Sequence, residues 1–212
     1  MELLEVIERV PSKIAPGRAP SFNEAHIVKA LEIIGALRTV GRIRLSKELE
    51  LGEGATRTLL KHLKKEGLIE GSRQGIAFSE YGKKIFSSLR SRVSEGIEVP
   101  NSSMTVGPFN VAVLVRNAAH GVNRGVEQRD TAIKAGALGA TTLIFSRSKL
   151  VMPTGEEDVL KGITSIYDML RSRLNPKEND VIILGSGENK TSAEIGAKMA
   201  ALELMKFKSK NK

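Results

Sequence analysis

Residues 41–86 read GRIRLSKELELGEGATRTLLKHLKKEGLIEGSRQGIAFSEYGKKIF, and this stretch decides the fold of the N-terminal half. RIRL (42–45) predicts a short strand. Ser46 is placed to cap a helix over SKELEL (46–51), and Gly52 and Gly54 supply a close turn. ATRTLLKHLKKE (55–66) has the leucine spacing of a helix and stops at Gly67. LIEGSRQGIAFS (68–79) reads as two short strands around a Gly-Ser-Arg-Gln-Gly turn, and Ser79 caps a last helix running to Val93. Upstream, Ser21 with Glu24 three residues on has the form of a capping box. Ile27, Ala30, Leu31, Ile34 and Leu37 then recur at helical spacing until Gly41. Three helices, a two-stranded wing and a closing helix predict a winged helix-turn-helix over residues 21–93, with Leu60, Leu63, Leu68 and Ile69 anchoring the third helix and first wing strand.

Packing those apolar faces leaves an outward one. Arg57, Thr58, Lys61 and Lys64 fall along one side of the third helix. In a helix that enters the major groove, its N-terminal residues reach base edges. Arg57 and Thr58 stand there, and an arginine can bridge guanine O6 and N7. Lys61 and Lys64 suit phosphates. Arg73 and Gln74 top the wing, and Arg42, Arg44 and Lys47 flank the second helix within reach of the backbone. Charge placement agrees. The chain carries +9 overall, and residues 38–92 hold 13 basic and 6 acidic side chains, a net of +7. Residues 101–212 carry a net of +5, and four of their 16 basic side chains are lysines 206, 208, 210 and 212. The positive charge of the folded regions therefore concentrates where a phosphate-binding surface needs it.

The composition excludes several classes. There is no cysteine, so no disulfide framework, thiolate zinc site or cysteine nucleophile. His26, His62 and His120 are too widely spaced to suggest a metal site, and no cofactor is expected. No window approaches the length of apolar residues a membrane span requires, and the first residues lack a signal-peptide pattern, so a cytoplasmic protein with no membrane partner is expected.

Around the central stretch, residues 1–20 divide into a short amphipathic helix (Leu3, Val6, Ile7 and Val10 on one face) and the proline-rich arm PSKIAPGRAP. That helix needs something to pack on, either its own chain or a partner subunit. Residues 94–107, rich in serine with Gly96, Pro100 and Gly107, read as a linker, and 208–212 as a basic tail. Between them, residues 108–207 predict an α/β domain of order βαββαβα. A ferredoxin-like domain with an added helix fits that order, as does a mixed sheet of other connectivity. The expected class for the whole chain is α+β.

Two places in this second domain gather polar groups. RNAAHGVNRGVEQRD (116–130) holds Arg116, His120, Arg124, Gln128, Arg129 and Asp130, and arginine forks suit carboxylate or phosphate. LGSGENKTS (184–192) places Gly185, Ser186, Gly187, Asn189, Lys190 and Thr191 between a strand and a helix, where unpaired N–H groups attract anions. Its spacing matches neither a P-loop nor a dinucleotide fingerprint. Ordinary helix starts and turns explain the same residues.

The turn L-x-x-E-L-x-L-G-x-G (45–54), the run L-x-x-L-x-x-x-G-L-I (60–69) and the helix start S-E-Y-G-K-K (79–84) resemble winged-helix domains of archaeal transcriptional regulators. The two-domain layout is similar to an archaeal regulator family whose C-terminal domain is uncharacterised. The resemblance implies transcription control and names no effector. A homodimeric regulator follows as the expectation: the N-terminal domain on double-stranded DNA, the C-terminal domain sensing a small anionic metabolite or mediating dimerisation. The alternative is an enzyme acting on a phosphorylated small molecule with an appended winged helix. No nucleophile–base pair stands at telling spacing, so no catalytic residue is assigned.

Overall fold

The computed structural model describes residues 2–12, 21–153, 155 and 164–210. Most of the arm (13–20), residues 156–163 ahead of the second helix expected in the C-terminal domain, and the end of the basic tail at 211–212 lie outside the described residues. The chain forms two compact units, Met1–Arg90 and Ser91–Lys212. It is α+β, with two antiparallel sheets among the described residues. No described helix is long and apolar enough to cross a membrane.

The first unit has helices α1 (Glu2–Ser12), α2 (Glu24–Leu37), α3 (Arg42–Leu49) and α4 (Glu53–Lys65), the hairpin β1 (Ile69–Ser72) and β2 (Gly75–Phe78), and α5 (Glu80–Arg90). This is the winged helix-turn-helix order with one helix added in front. The added helix packs within its own chain: Leu3, Leu4, Val6, Ile7 and Val10 are buried, and α1 lies against α2, α4 and α5. His62 Nδ1 meets the Val10 carbonyl at 2.6 Å, and Arg9 pairs with Glu66 at 3.5 Å, which ties α1 to α4. Ile27, Leu31, Ile34, Leu45, Leu49, Leu59, Leu63 and Leu68 form the buried interior.

Several local expectations change. RIRL is the first turn of α3 rather than a strand, and the pairing partner of the wing is Val40, which bridges Ile76. Gly41, not Ser46, stands at the α3 N-cap. Ser46 is buried inside the helix, and its hydroxyl donates to the Leu51 carbonyl at 2.6 Å, fastening the turn that follows. The left-handed residue of that turn is Glu50, with φ 52°, so Gly52 and Gly54 are not required by backbone conformation. The α2 cap is Asn23 rather than Ser21. Its side chain accepts from the His26 N–H at 3.2 Å, and His26 Nδ1 accepts from the Asn23 N–H at 3.2 Å. Ser79 does cap α5, accepting from the Gly82 N–H at 2.9 Å.

The second unit comprises β3 (Ile97–Glu98), β4 (Phe109–Val115), a 3-10 turn at Ala119–Gly121, α6 (Val126–Lys134), β5 (Gly139–Ser146), β6 (Lys149–Val151), α7 (Thr164–Leu174), β7 (Val181–Gly187) and α8 (Lys190–Lys210). Residues 94–107 are therefore not merely a linker. β3 pairs with β4, Val93 bridges Val115, and the Ser94 N–H donates to the Leu114 carbonyl. α6 ends at Lys134, and beyond it the Leu138 N–H donates to the Ser186 carbonyl.

The sheet runs β3-β4-β7-β5-β6 with every neighbouring pair antiparallel. This corrects the ferredoxin-like expectation. There, the hairpin strand that follows the second strand separates the first βαβ pair, and the last strand lies outermost beside the first. Here the last strand, β7, is central and separates β4 from β5, and β6 stands at the edge. α7 covers one face, where Ala112, Leu114, Leu143, Phe145, Ile182 and Leu184 join Ile166, Leu170 and Leu174. Strand residues alternate faces, so Val113, Thr142, Ile183 and Gly185 turn the other way, toward α6 and α8. At Gly185 a Cβ would fall 2.3 Å from the Ala193 carbonyl oxygen, which shows how closely α8 lies on β7.

Candidate nucleic-acid interface

α4 divides cleanly into two faces. Thr56, Leu59 and Leu63 are buried, while Arg57, Thr58, Lys61, Lys64 and Lys65 are exposed. The exposed positions follow the three- and four-residue steps of one helix side, and Gly54 begins the same row. Four cations thus line a single face of α4. Lys65, which the sequence reading does not assign, belongs to this row; its place one step beyond Lys61 and Lys64 is the available signal. Thr58 Oγ1 donates to the Gly54 carbonyl at 3.1 Å, which leaves its lone pairs open as acceptors.

The start of α4 has no side-chain cap, and Glu53 is the acidic side chain of its first turn. A Cβ at Gly52, its N-cap, or at Gly54 would meet nothing within 4 Å. Open N–H groups at a helix N-terminus attract phosphate through both hydrogen bonding and the helix dipole. The glycines that the turn does not need thus keep this end approachable.

The remaining N-terminal candidates are also exposed. Arg42, Arg44 and Lys47 lie on α3, where Arg44 stands 3.8 Å from Glu48, an exposed pair of small energetic weight. Arg73 and Gln74 form the two-residue tip between β1 and β2, and Ser72 Oγ accepts from the Gln74 N–H at 3.1 Å. The Val40–Ile76 bridge fixes β2, close to the hairpin tip, to the segment before α3.

His26, outside this row, is the one strongly perturbed side chain among the described residues. Burial, with Lys29 adding repulsion, lowers its pKa from 6.5 to about 4. The neutral ring is the form that accepts from Asn23 in the cap.

In the second unit the proposed ligand residues have internal work. Arg116 donates to Asp180 at 2.7 Å and to the Asn175 carbonyl at 3.0 Å, while Asp180, 2% exposed, also accepts from the Asn117 and Lys177 N–H groups. Arg129 pairs with Asp130 at 3.2 Å on the surface, and Arg124 and His120 are exposed. Ser186 is buried and donates to Asn110 Oδ1 at 2.6 Å. Gly185 and Gly187 are buried against α8, where a Cβ on Gly187 would fall 2.5 Å from the Ala193 nitrogen. Asn189 caps α8 by accepting from the Ser192 N–H at 2.8 Å, half-buried Thr191 follows it in the first turn, and Lys190 is paired with Glu98. Gln128 is 1% exposed; its Oε1 and the buried Thr142 Oγ1 have no hydrogen-bond partner among the described residues.

The strand register also keeps Arg116 apart from the glycine loop. Arg116 leaves β4 where Val115 pairs with Val181, whereas Gly187 pairs with Phe109 at the other end. Six residues at about 3.3 Å each put those ends roughly 20 Å apart. No group of three or more His, Cys, Asp or Glu side chains suited to a metal ion occurs among the described residues.

Three comparisons bear on this arrangement. The model of the "PH0730-like, N-terminal domain" family matches residues 29–84, inside the first unit, and that of a domain of unknown function, DUF4443, matches residues 106–204, inside the second. No curated protein matches the chain. A solved archaeal structure, described as hypothetical protein PH0730 from Pyrococcus horikoshii OT3, is similar at 28% identity with a TM-score of 0.67. The match covers 85% of this chain and 92% of that one. The chain is thus similar, across most of its length, to a solved archaeal structure.

Proposed function

We propose that the chain binds double-stranded DNA through its first unit and regulates transcription. The observation that carries this reading is the exposed row Arg57, Thr58, Lys61, Lys64 and Lys65 on α4, the helix that follows the helix-turn-helix turn. Arg57 and Thr58 suit base edges, the lysines suit phosphates, and Arg42, Lys47, Arg73 and Gln74 extend the interface to both flanks.

Of the two roles open to the second unit, self-association is the better supported. The residues suited to an anion are largely capped, paired or buried. In contrast, Val106, Phe109 and Leu138 stand 67%, 47% and 41% exposed, and Val106 and Leu138 each border a glycine of the other's segment. A second copy of the chain covering them would give the two-fold symmetry that paired half-sites demand. The enzymatic alternative gains no observation.

Salt dependence tests the DNA reading. A Lys61→Gln/Lys64→Gln/Lys65→Gln variant should bind a duplex more weakly, and the slope of log affinity against log salt should fall by about 1 for each phosphate that the variant leaves unneutralised. An unchanged slope with unchanged affinity would remove α4 from the interface. For self-association, Leu138→Asp should shift the sedimenting species from dimer to monomer.

A further inference from the structure

The first unit contains a cavity of about 550 Å³ away from the α4 row. That is within the range of small-molecule sites, roughly 300–1,000 Å³. Its floor is Ile34 of α2, Ala77 and Phe78 of the wing, and Phe86 of α5. The two phenylalanine rings stack with centroids 5.1 Å apart. Gly35 brings α2 up to this stack: a Cβ there would lie 2.5 Å from the Phe86 ring.

The rim is polar and asymmetric. Lys83 is engaged with Glu80 at 2.6 Å, and Glu70 lies close enough to act on it. Arg38 differs. Its exposed side chain makes no hydrogen bond or ion pair with any described residue, and it ends α2 at φ 62°, ψ −42°, outside the ordinary left-handed well. A non-glycine residue held in such a conformation carries backbone strain, a recurrent feature of ligand clamps. The strained geometry sets a planar, permanently charged fork at the mouth of an apolar cavity.

We propose that this cavity binds an apolar carboxylate, an aromatic or medium-chain acid whose body lies on Phe78 and Phe86 and whose carboxylate pairs with Arg38. Burial of the apolar body supplies the affinity, and the guanidinium fork selects the acid over its neutral analogues. Binding does not depend on the DNA reading. Only a regulatory consequence does: because Ala77 and Phe78 are wing residues, occupancy would bias the hairpin that carries Arg73 and Gln74.

The test is calorimetric titration of the full chain with 4-phenylbutyrate and, separately, its amide, together with methyl NMR of Ile34 and Ala77, all without DNA. The acid should bind at one site and shift both methyl signals, with the amide at least about tenfold weaker. Arg38→Gln should bring the acid down to the level of the amide, and Ala77→Trp should remove binding of both. Arg38 is exposed, so Arg38→Gln probes charge without threatening the fold, and melting curves report whether Ala77→Trp is folded. Equal binding of acid and amide, indifference to Arg38→Gln, shifts confined to other methyls, or no saturable binding would each overturn the proposal. So would protein-concentration-dependent shifts at Ile34 and Ala77 without ligand, which would make the cavity a self-association surface.

Discussion

Arg57 stands in the exposed row of α4, close to its open N-terminus, and its side chain makes no ion pair with any described residue. If it reads guanine, Arg57→Ala should reduce discrimination between the correct and an altered site by about 1–3 kcal/mol, measured as a ratio of dissociation constants. Lys64→Ala should weaken all duplexes alike. His26 gives a prediction of another kind. Its folded pKa of about 4 lies below the ordinary 6.5. Between those values the unfolded chain takes up a proton that the folded chain refuses, so stability falls as pH drops from 6.5 toward 4 and is level above it. Denaturant midpoints at pH 7 and pH 4.5 should differ less in His26→Gln than in the parent chain. In the second unit, Asp180→Ala should destabilise by about 3 kcal/mol in thermal unfolding, since it strands the partners of a buried carboxylate. The outward cations are legible from helical spacing alone. The capping residue is not, because Ser21 and Asn23 are both competent caps and only the path of the chain chooses between them.

At the scale of elements, close backbone approach decides more than propensity does. A Cβ at Gly82 would fall 1.8 Å from the Leu68 carbonyl oxygen, and one at Gly185 would fall 2.3 Å from that of Ala193. Neither clash can be relieved by turning a flexible side chain. Gly185→Ala should therefore lift α8 from β7 and destabilise by about 1–3 kcal/mol or more, read as a lower unfolding midpoint. A reading of LGSGENKT as an anion loop sees the same glycines but not the helix pressed on them. The helix that begins at Arg42 reads as a strand for a related reason. RIRL alternates like an edge strand, yet Gly41 ends the extended segment and Val40 already supplies the bridge to the wing.

For the molecule as a whole, the longer helices and strands are legible because each carries its own periodicity, whereas strand neighbours are not. β7 enters between β4 and β5 through pairings distant in sequence, so pattern cannot separate the ferredoxin-like order from this one. The linker reading fails similarly: serine, proline and glycine mark 94–107 as irregular, but β3 pairs with β4 all the same. Because Met1–Arg90 encloses its own buried interior, with α1 packed on α2, α4 and α5, a fragment of residues 1–90 should fold and bind a single half-site. Whether this unit reads a DNA sequence is decided by fluorescence anisotropy of the full chain on duplexes from its own promoter and on a scrambled duplex, across a salt series and beside Arg57→Ala. Tighter promoter binding that Arg57→Ala loses, above a salt-sensitive background common to both duplexes, is the expected result. Absence of binding to either duplex at low salt would contradict the DNA reading.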